Sequence, residues 1–349
     1  MLRQMLPAAA LFGVALAAGC AQTPEIPLST LAVASEPAPG WRPFSPDSPW
    51  NTPIAADAPV DPNSDVLVAE LGKHGPLFVN INEWSVRVKY FDSAKSPLRS
   101  VRGIYDGRHG PGFDPGELVP IPADALDPAT PEPQRYYFTL VDPVRNLAWD
   151  MRQAGQTLEG AWTAGFGAAV DLAGTGVAQP WMKAARADDS AGARPSGAPL
   201  MAGLIRVDEV KAGRIDHALA FAYPQPQTGK FLPPASTDLR AEARGAEQLS
   251  GLPMGARLQL NPEFDIDNTL LSPGAKVVAK ALQEYGAIVV DQAGANVLYA
   301  ESGPEAVAAW EGVLAPSDLQ MLFTPEFIAL NFRVIETGEP LPGIPSRYN

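Results

Sequence analysis

The side chains best suited to chemistry lie close together in one stretch of the chain. Arg206 follows the apolar residues GLI, and His217 opens the apolar segment HALAFAY. A free imidazole has a pKa of about 6.5 and can exchange a proton at neutral pH, so His217 is either such a group or a structural histidine bonded to a loop carbonyl. A guanidinium in an apolar setting needs a partner. For Arg206 this is a substrate carboxylate or an internal acid such as Asp208, and the internal ion pair is the favoured interpretation.

Three aspartates lie within or at the end of apolar segments. They are Asp150 in LAWDM, Asp171 in AAVDL and Asp291 in IVVDQ. Acidic side chains are rarely buried without a partner, and a pair of carboxyl groups is the usual equipment of glycoside hydrolysis. Aspartates at strand ends also cap turns. We predict Asp150 and Asp171 as catalytic carboxylates beside His217, and Asp291 as a substrate-binding residue.

Two long irregular segments carry further candidates, His109 in GRHGPGFDP and Trp181 after Gln-Pro. Binding residues concentrate on loops, and an indole ring offers a flat face to a sugar, so we predict both residues as substrate-binding. The three histidines of the chain have no spacing typical of a zinc site. The run DIDN (265–268) lacks the twelve-residue calcium loop and is interpreted as a turn. We therefore expect neither a metal nor a cofactor.

The N-terminus indicates export. Arg3 precedes an apolar run over 6–18 that is too short to remain as a membrane helix, so residues 1–19 are predicted to be a signal peptide. The only cysteine, Cys20, follows the residues LAAG. This pattern resembles a bacterial lipobox, which implies lipidation of Cys20. Ala21 in the next position implies sorting to the outer membrane of a Gram-negative bacterium; an ordinary signal peptide is the alternative.

Composition narrows the remaining possibilities. With one cysteine, neither a disulfide framework nor a thiolate zinc site can form in the folded part. The net charge of −13 argues against nucleic acid as a partner. Residues 20–40 are interpreted as a flexible tether, and 41–349 as a single β-rich domain.

The apolar patterns predict many short strands and one well-defined helix over 273–285, which Ser272 caps and Gly286 ends. Shorter helices are predicted over 66–72, 304–313 and 316–322. Strands are predicted at 77–81, 84–91, 136–141, 147–151, 162–172, 217–223, 256–260, 287–291, 297–300 and 327–335. The expected fold is mainly β, a β-sandwich or jelly roll with a few appended helices.

Several segments, in this order, resemble a largely uncharacterised group of exported bacterial and fungal proteins. They are RPFS (42–45), SPWN (48–51), GLIR (203–206), DEV (208–210), HALAF (217–221) and ALQEYG (281–286). A histidine that relatives often have near Tyr136 is absent here. The resemblance implies no defined activity, but such proteins look like those found among carbohydrate-active enzymes, an analogy only.

The sequence therefore predicts an exported, lipid-anchored enzyme that cleaves a polysaccharide or oligosaccharide by hydrolysis or by elimination. The membrane is a partner only through the N-terminal lipid. The alternative is a non-catalytic surface lipoprotein that binds glycan or a partner protein. The predicted catalytic residues are His217, Asp150, Asp171 and Arg206; the predicted substrate-binding residues are His109, Trp181 and Asp291.

Overall fold

The structure is a computed structural model that describes residues 36–103, 113, 116–126, 136–180, 192–238 and 250–343. These residues all lie within one compact unit, Ala34–Asn349. No helix among them is long and apolar enough to cross a membrane.

The fold is mainly β with a few helices, as predicted. The first nine strands are β1 (Leu77–Asn80), β2 (Val86–Tyr90), β3 (Leu98–Gly103), β4 (Leu118–Pro120), β5 (Tyr137–Asp142), β6 (Leu147–Arg152), β7 (Gly155–Gln156), β8 (Trp162–Ala164) and β9 (Phe166–Asp171). The others are β10 (Leu219–Tyr223), β11 (Gln227–Phe231), β12 (Pro253–Met254), β13 (Arg257–Leu260), β14 (Ala287–Gln292), β15 (Asn296–Tyr299), β16 (Glu301–Ser302), β17 (Phe332–Ile335) and β18 (Leu341–Pro342). The α-helices are α1 (Ser64–Gly72), α2 (Val207–Ala212), α3 (Pro273–Glu284), α4 (Pro304–Ala309) and α5 (Pro325–Asn331).

Two large sheets organise the fold. One has six strands in the order β1-β15-β10-β14-β13-β17, and the other has five in the order β16-β2-β5-β6-β9. Both mix parallel and antiparallel pairs: β10 runs parallel to β14 but antiparallel to β15, and β5 runs parallel to β2 but antiparallel to β6. Two smaller sheets have the orders β4-β3-β8-β7 and β12-β11-β18.

The two large sheets pack face to face, with helices on one outer side. Their shared core includes Tyr137 and Ala148 from one sheet and Ala220 and Tyr299 from the other. The opposite face of the six-stranded sheet packs against α1, α3 and α5, and the opposite face of the five-stranded sheet packs against the β4-β3-β8-β7 sheet. This arrangement is a β-sandwich with added outer layers.

Strand β10 shows how the sequence produces these layers. Its large residues, Leu219, Phe221 and Tyr223, point into the core beneath the helices, whereas Ala220 and Ala222 point between the sheets. Successive side chains of a strand point to opposite faces. The small alanine side chains leave room between the sheets for larger groups from neighbouring strands.

The principal helix is confirmed within one residue of its predicted end. The Ser272 hydroxyl accepts a hydrogen bond from the Ala275 N–H at 3.2 Å, and Pro273 occupies the first helical position. Gly286 follows with a positive φ of 70°, and a side chain there would lie 2.4 Å from the Leu258 carbonyl oxygen. Only glycine fits this position without strain.

Other predicted elements were wrong in their extent. The single strand predicted over 162–172 is two strands, β8 and β9, in different sheets. The strand predicted over 327–335 is helical up to Asn331, because Thr324 caps α5 and accepts from the Phe327 N–H at 3.2 Å. The segment 225–255, interpreted as loop, contains β11, whose polar residues give no apolar period, and β12, which is only two residues long.

Candidate functional site

The structure brings Arg206 and His217 together through a third residue, Glu209. Arg206 precedes α2, and its backbone N–H donates to Glu209 Oε2 at 3.3 Å, which directs that carboxylate inward. Glu209 Oε1 lies 2.9 Å from Arg206 Nη2, and Glu209 Oε2 lies 3.2 Å from His217 Nε2. Asp208 lies 3.3 Å from Arg206 Nε. We call Arg206, Asp208, Glu209 and His217 the Glu209 cluster.

The charges of this cluster are paired internally, and Arg206 Nη1 is its one side-chain nitrogen that has no hydrogen-bond partner in the described part of the chain. Besides its two acids, Arg206 donates from Nη2 to the Trp41 carbonyl oxygen at 2.8 Å. His217 Nδ1 lies 2.9 Å from the Ala218 carbonyl oxygen, so both ring nitrogens of His217 face oxygen atoms of the protein. Burial opposes ionisation of Glu209, yet the charges of His217 and Arg206 lower its pKa. The predicted internal ion pair of Arg206 is confirmed, and both ring nitrogens of His217 are engaged within the protein.

A second buried acid borders this cluster and was missed from the sequence. Glu301 accepts from the Tyr90 hydroxyl at 2.9 Å and from the Val207 N–H at 3.0 Å. Burial raises the pKa of Glu301 to about 7, despite these hydrogen bonds and the nearby charge of Arg206. Its only sequence signal is an acid directly after an apolar strand.

A different group of polar side chains lies between the two large sheets, at the start of β5. We call Tyr137, Asp150, Arg194, Asp291 and Tyr299 the Arg194 cluster. Arg194 is 2% exposed, and its guanidinium carbon lies 4.1 Å from the ring centre of Tyr299 and 5.6 Å from that of Tyr137. Its Nη2 donates to the Leu200 carbonyl oxygen at 3.3 Å. In the part of the chain that the structure describes, Nε and Nη1 of Arg194 have no hydrogen-bond partner.

Two phenols of this cluster share one carboxylate. The Tyr137 hydroxyl donates to Asp291 Oδ2 at 2.5 Å, and the Tyr299 hydroxyl donates to the same oxygen at 3.2 Å. Burial, reinforced by the charge of Asp291, raises the pKa of Tyr137 and of Tyr299 well above the ordinary value. Both phenols are therefore neutral at physiological pH and act as hydrogen-bond donors.

Asp150 fixes the segment that carries Arg194. Its carboxyl group accepts from the Thr139 hydroxyl and from the Leu200 N–H, each at 2.7 Å. Burial raises the pKa of Asp150 to about 6, although these hydrogen bonds and the charge of Arg194 oppose the change. The backbone of Leu200 donates to Asp150 from its N–H and accepts from Arg194 at its carbonyl oxygen. Asp150 therefore acts as a positioning residue for Arg194.

Aromatic rings continue from the Arg194 cluster to the surface. The rings of Tyr137 and Tyr136 are 5.1 Å apart, and the rings of Tyr136 and Trp84 are 5.9 Å apart. Arg152 donates from Nη2 to the Tyr136 hydroxyl at 2.7 Å. Trp84, at the outer end, is 54% exposed. The buried cluster therefore has an aromatic edge that reaches solvent.

The other predicted residues do not join either cluster. Asp171 is exposed at the end of β9, where its Oδ1 accepts from the Ala173 N–H at 2.8 Å in a local turn. Cys20, His109 and Trp181 lie outside the described residues. Asp265 accepts from the Asn268 N–H at 3.2 Å, which confirms the turn predicted there.

Sequence reasoning found Asp150 and Asp291 but missed Tyr137, Arg194 and Tyr299. Arg194 lies in a segment without a periodic pattern of apolar residues, and the two tyrosines have the residue type expected in any buried strand. No group of three or more His, Cys, Asp or Glu in the described ranges is arranged to hold a metal ion. No protein-family model matches the chain, and no curated protein and no solved structure is significantly similar to it.

Proposed function

We propose that this protein is an exported enzyme that cleaves an acidic polysaccharide by elimination, with the Arg194 cluster as its active site. The observation that carries the proposal is the buried guanidinium of Arg194, whose Nε and Nη1 have no partner among the described residues. A buried charge with unpaired donors is unfavourable. A sugar carboxylate that reaches Arg194 supplies both the opposite charge and the acceptors.

Elimination requires the charge of a uronate to be neutralised and a proton to be removed from the carbon beside its carboxylate. Arg194 neutralises the carboxylate. The oxygen of Tyr137 or Tyr299 takes the proton while its own proton passes to Asp291, to which both phenols already donate. The electron pair of the C–H bond forms a C=C bond, and the C–O bond to the neighbouring sugar breaks. The leaving oxygen takes a proton from water, and the hydroxide that remains takes the proton held by Asp291, which restores the starting state.

The carboxylates of the cluster favour elimination over hydrolysis. A glycoside hydrolase needs two carboxyl groups that face the scissile bond. Both oxygens of Asp150 accept hydrogen bonds from the protein, and Asp291 accepts from two phenols and from the Gln292 N–H at 2.7 Å. Neither carboxylate therefore has an unbonded oxygen directed at a substrate.

The test is an assay of the full mature chain on uronate polysaccharides such as polygalacturonate and alginate, with unsaturated products followed by ultraviolet absorbance. Arg194→Ala should lower product formation roughly 100-fold or more, as when a group stabilising transition-state charge is removed. Arg99→Ala, which removes an exposed arginine on β3, is the matched control and should leave the rate unchanged. Reducing ends without unsaturated products would instead establish hydrolysis.

Cellular location forms a second part of the proposal, supported by the first twenty residues alone. The chain is held at the outer membrane by a lipid on Cys20, which follows the small residues AAG. Cys20→Ser should abolish incorporation of labelled fatty acid and release the protein from the membrane fraction. A membrane-bound, unlabelled wild-type chain would contradict the lipid anchor.

Burial favours one alternative function, a glycan-binding lipoprotein without activity. The five residues of the Arg194 cluster are all buried, whereas Trp84 at its aromatic edge is 54% exposed. A glycan could bind at Trp84 without reaching Arg194. Binding of a uronate polysaccharide without any cleavage products would establish this alternative.

A further inference from the structure

We infer that Trp84, together with Tyr136 and Arg152, forms a sugar-binding subsite on the surface beside the Arg194 cluster. Its ligand is a sugar ring of an acidic polysaccharide, stacked on the exposed face of Trp84. This inference rests on the proposed function for the identity of the chain that is bound. The inference assigns to Trp84 a role in affinity for the polysaccharide, at a distance from the reacting atoms.

The exposure of Trp84 is unusual among the tryptophans in the described ranges. Trp50, Trp149, Trp162 and Trp310 are buried in the cores, and Trp41 is partly buried against Arg206. Trp84 keeps 54% of its surface in solvent. A large apolar ring gains little from folding in such a position, so core packing does not account for it.

The backbone of Trp84 reinforces this argument. Its φ of +57° lies in the left-handed region, which favours glycine and is strained for a bulky side chain. The turn is anchored on both sides: Asn80 Nδ2 donates to the Trp84 carbonyl oxygen at 3.0 Å, and the Ser85 hydroxyl donates to the Ala300 carbonyl oxygen. The fold thus holds an exposed indole in an unfavourable conformation, a combination typical of binding sites.

The neighbours of Trp84 suit a sugar better than a protein surface. The adjacent residues Asn82 and Glu83 are polar and exposed, so the ring does not belong to a continuous apolar stretch of chain. Tyr136 lies beside it, and the Arg152 guanidinium lies 5.3 Å from the ring centre of Tyr136. Sugars present C–H groups to aromatic faces and hydroxyl groups to polar side chains, and both kinds of partner occur here.

The subsite is also continuous with the Arg194 cluster. The ring centres of Trp84 and Tyr136, of Tyr136 and Tyr137, and of Tyr137 and Tyr299 are 5.9, 5.1 and 6.4 Å apart. This row of rings begins in solvent and ends at Arg194. A polysaccharide that places one unit at Arg194 therefore has a neighbouring unit to place toward Trp84.

Trp84→Gly is the decisive variant, because it removes the ring and also relieves the backbone. Affinity for polygalacturonate or alginate, measured by calorimetry and by electrophoresis in gels containing the polymer, should fall roughly tenfold or more, as for an aromatic anchor. The thermal midpoint should stay equal or rise, because glycine favours a positive φ. Trp84→Phe should retain most of the affinity. Leu158→Ala, at a fully exposed side chain, is the control and should bind like the wild type.

The outcomes separate this subsite from the proposed reaction. Lower affinity of Trp84→Gly with no cleavage by the wild type would support the subsite and contradict elimination. Unchanged affinity of Trp84→Gly, together with unsaturated products from the wild type, would overturn the subsite and leave the reaction intact. Failure of the wild type to bind any acidic polymer, or equal binding of dextran as a neutral polymer, would also overturn it.

Discussion

The two clusters each hold a buried arginine beside aromatic rings and acids, but they differ in how that charge is satisfied. Arg206 and Arg194 are both 2% exposed. Arg206 has a carboxylate at 2.9 Å, a second at 3.3 Å and a carbonyl oxygen at 2.8 Å. Arg194 has one carbonyl oxygen at 3.3 Å and two aromatic faces, with no carboxylate within ion-pair distance in the described structure.

Under the proposed function, this difference separates a structural charge from a charge that is available to a ligand. A buried arginine that is paired with carboxylates holds one conformation. Arg206 has two carboxylates within 3.3 Å, although its Nη1 has no hydrogen-bond partner among the described residues. A buried guanidinium with unused donors and no carboxylate beside it is a cost to folding that a ligand can offset. The clearest chemical residues of the sequence, Arg206 and His217, belong to the first kind, and the unremarkable Arg194 belongs to the second.

The largest expected effect compares the two arginines directly through the same substitution. Arg206→Met removes the arginine from the buried ion pair with Glu209 and leaves His217 as the only remaining side-chain partner of that carboxylate in the cluster. It should lower the free energy of unfolding by about 3–5 kcal/mol. Arg194→Met removes a buried charge that has no acid partner, and should change it by about 1 kcal/mol or less, or raise it. Urea denaturation of both variants and the wild type gives both values.

Ligand addition sharpens the same comparison. A uronate polysaccharide should raise the thermal midpoint of the wild type but not that of Arg194→Met, because only the native site binds it. Equal loss of stability in the two variants would show that Arg194 is as fully paired as Arg206. The contrast between the clusters would then have no functional meaning.

A second prediction uses the opposite pKa changes in the two clusters. Asp150 has an ordinary pKa of 3.8 and a pKa of about 6 in the fold, so the folded protein holds a proton that the unfolded chain loses between these values. Stability from Asp150 therefore falls as pH rises from about 4 to about 6. One pKa unit corresponds to about 1.4 kcal/mol, so the fall is about 3 kcal/mol at most.

Glu209 acts in the other direction. Its pKa is lowered from 4.5, so its contribution is present above pH 4.5 and is lost as pH falls through its folded value. Asp150→Asn keeps both hydrogen bonds, because its oxygen can accept from Leu200 and its amide can donate to the Thr139 hydroxyl. The free energy of unfolding of Asp150→Asn should no longer decrease between pH 4 and 6. It should still decrease at acid pH, where Glu209 becomes protonated. An unchanged decline would place its origin elsewhere.

Local signals in the sequence predict much of the fold but little of the Arg194 cluster. The cap at Ser272, the proline after it and the apolar period are enough to define α3, since all act within one helix. Strand β10 is likewise evident from its composition. Gly165, in contrast, separates two strands whose different sheets depend on distant partners, and no local pattern encodes that choice.

The residues of the two clusters illustrate the same limit. Arg206 and His217 are eleven positions apart, and Glu209 between them is near enough in sequence for the pairing to be anticipated. The Arg194 cluster joins residues 137, 150, 194, 291 and 299 through the packing of two sheets. No spacing within a single sequence identifies such a set. Only Asp150 and Asp291 could be picked out, because they are acids among apolar residues.

The smallest expected effect concerns Asp171, which the sequence presents as equivalent to Asp150 and the structure places apart from both clusters. Its side chain is exposed and accepts one hydrogen bond from the Ala173 N–H in a turn. Because water can replace that acceptor, Asp171→Ala should lower the free energy of unfolding by about 0.5–1 kcal/mol and leave cleavage and binding unchanged. Urea denaturation and the assay of unsaturated products, carried out on Asp171→Ala and on Asp150→Asn in parallel, check this expectation. A loss of cleavage in Asp171→Ala comparable to that in Arg194→Ala would move the active site to the end of β9, away from the Arg194 cluster.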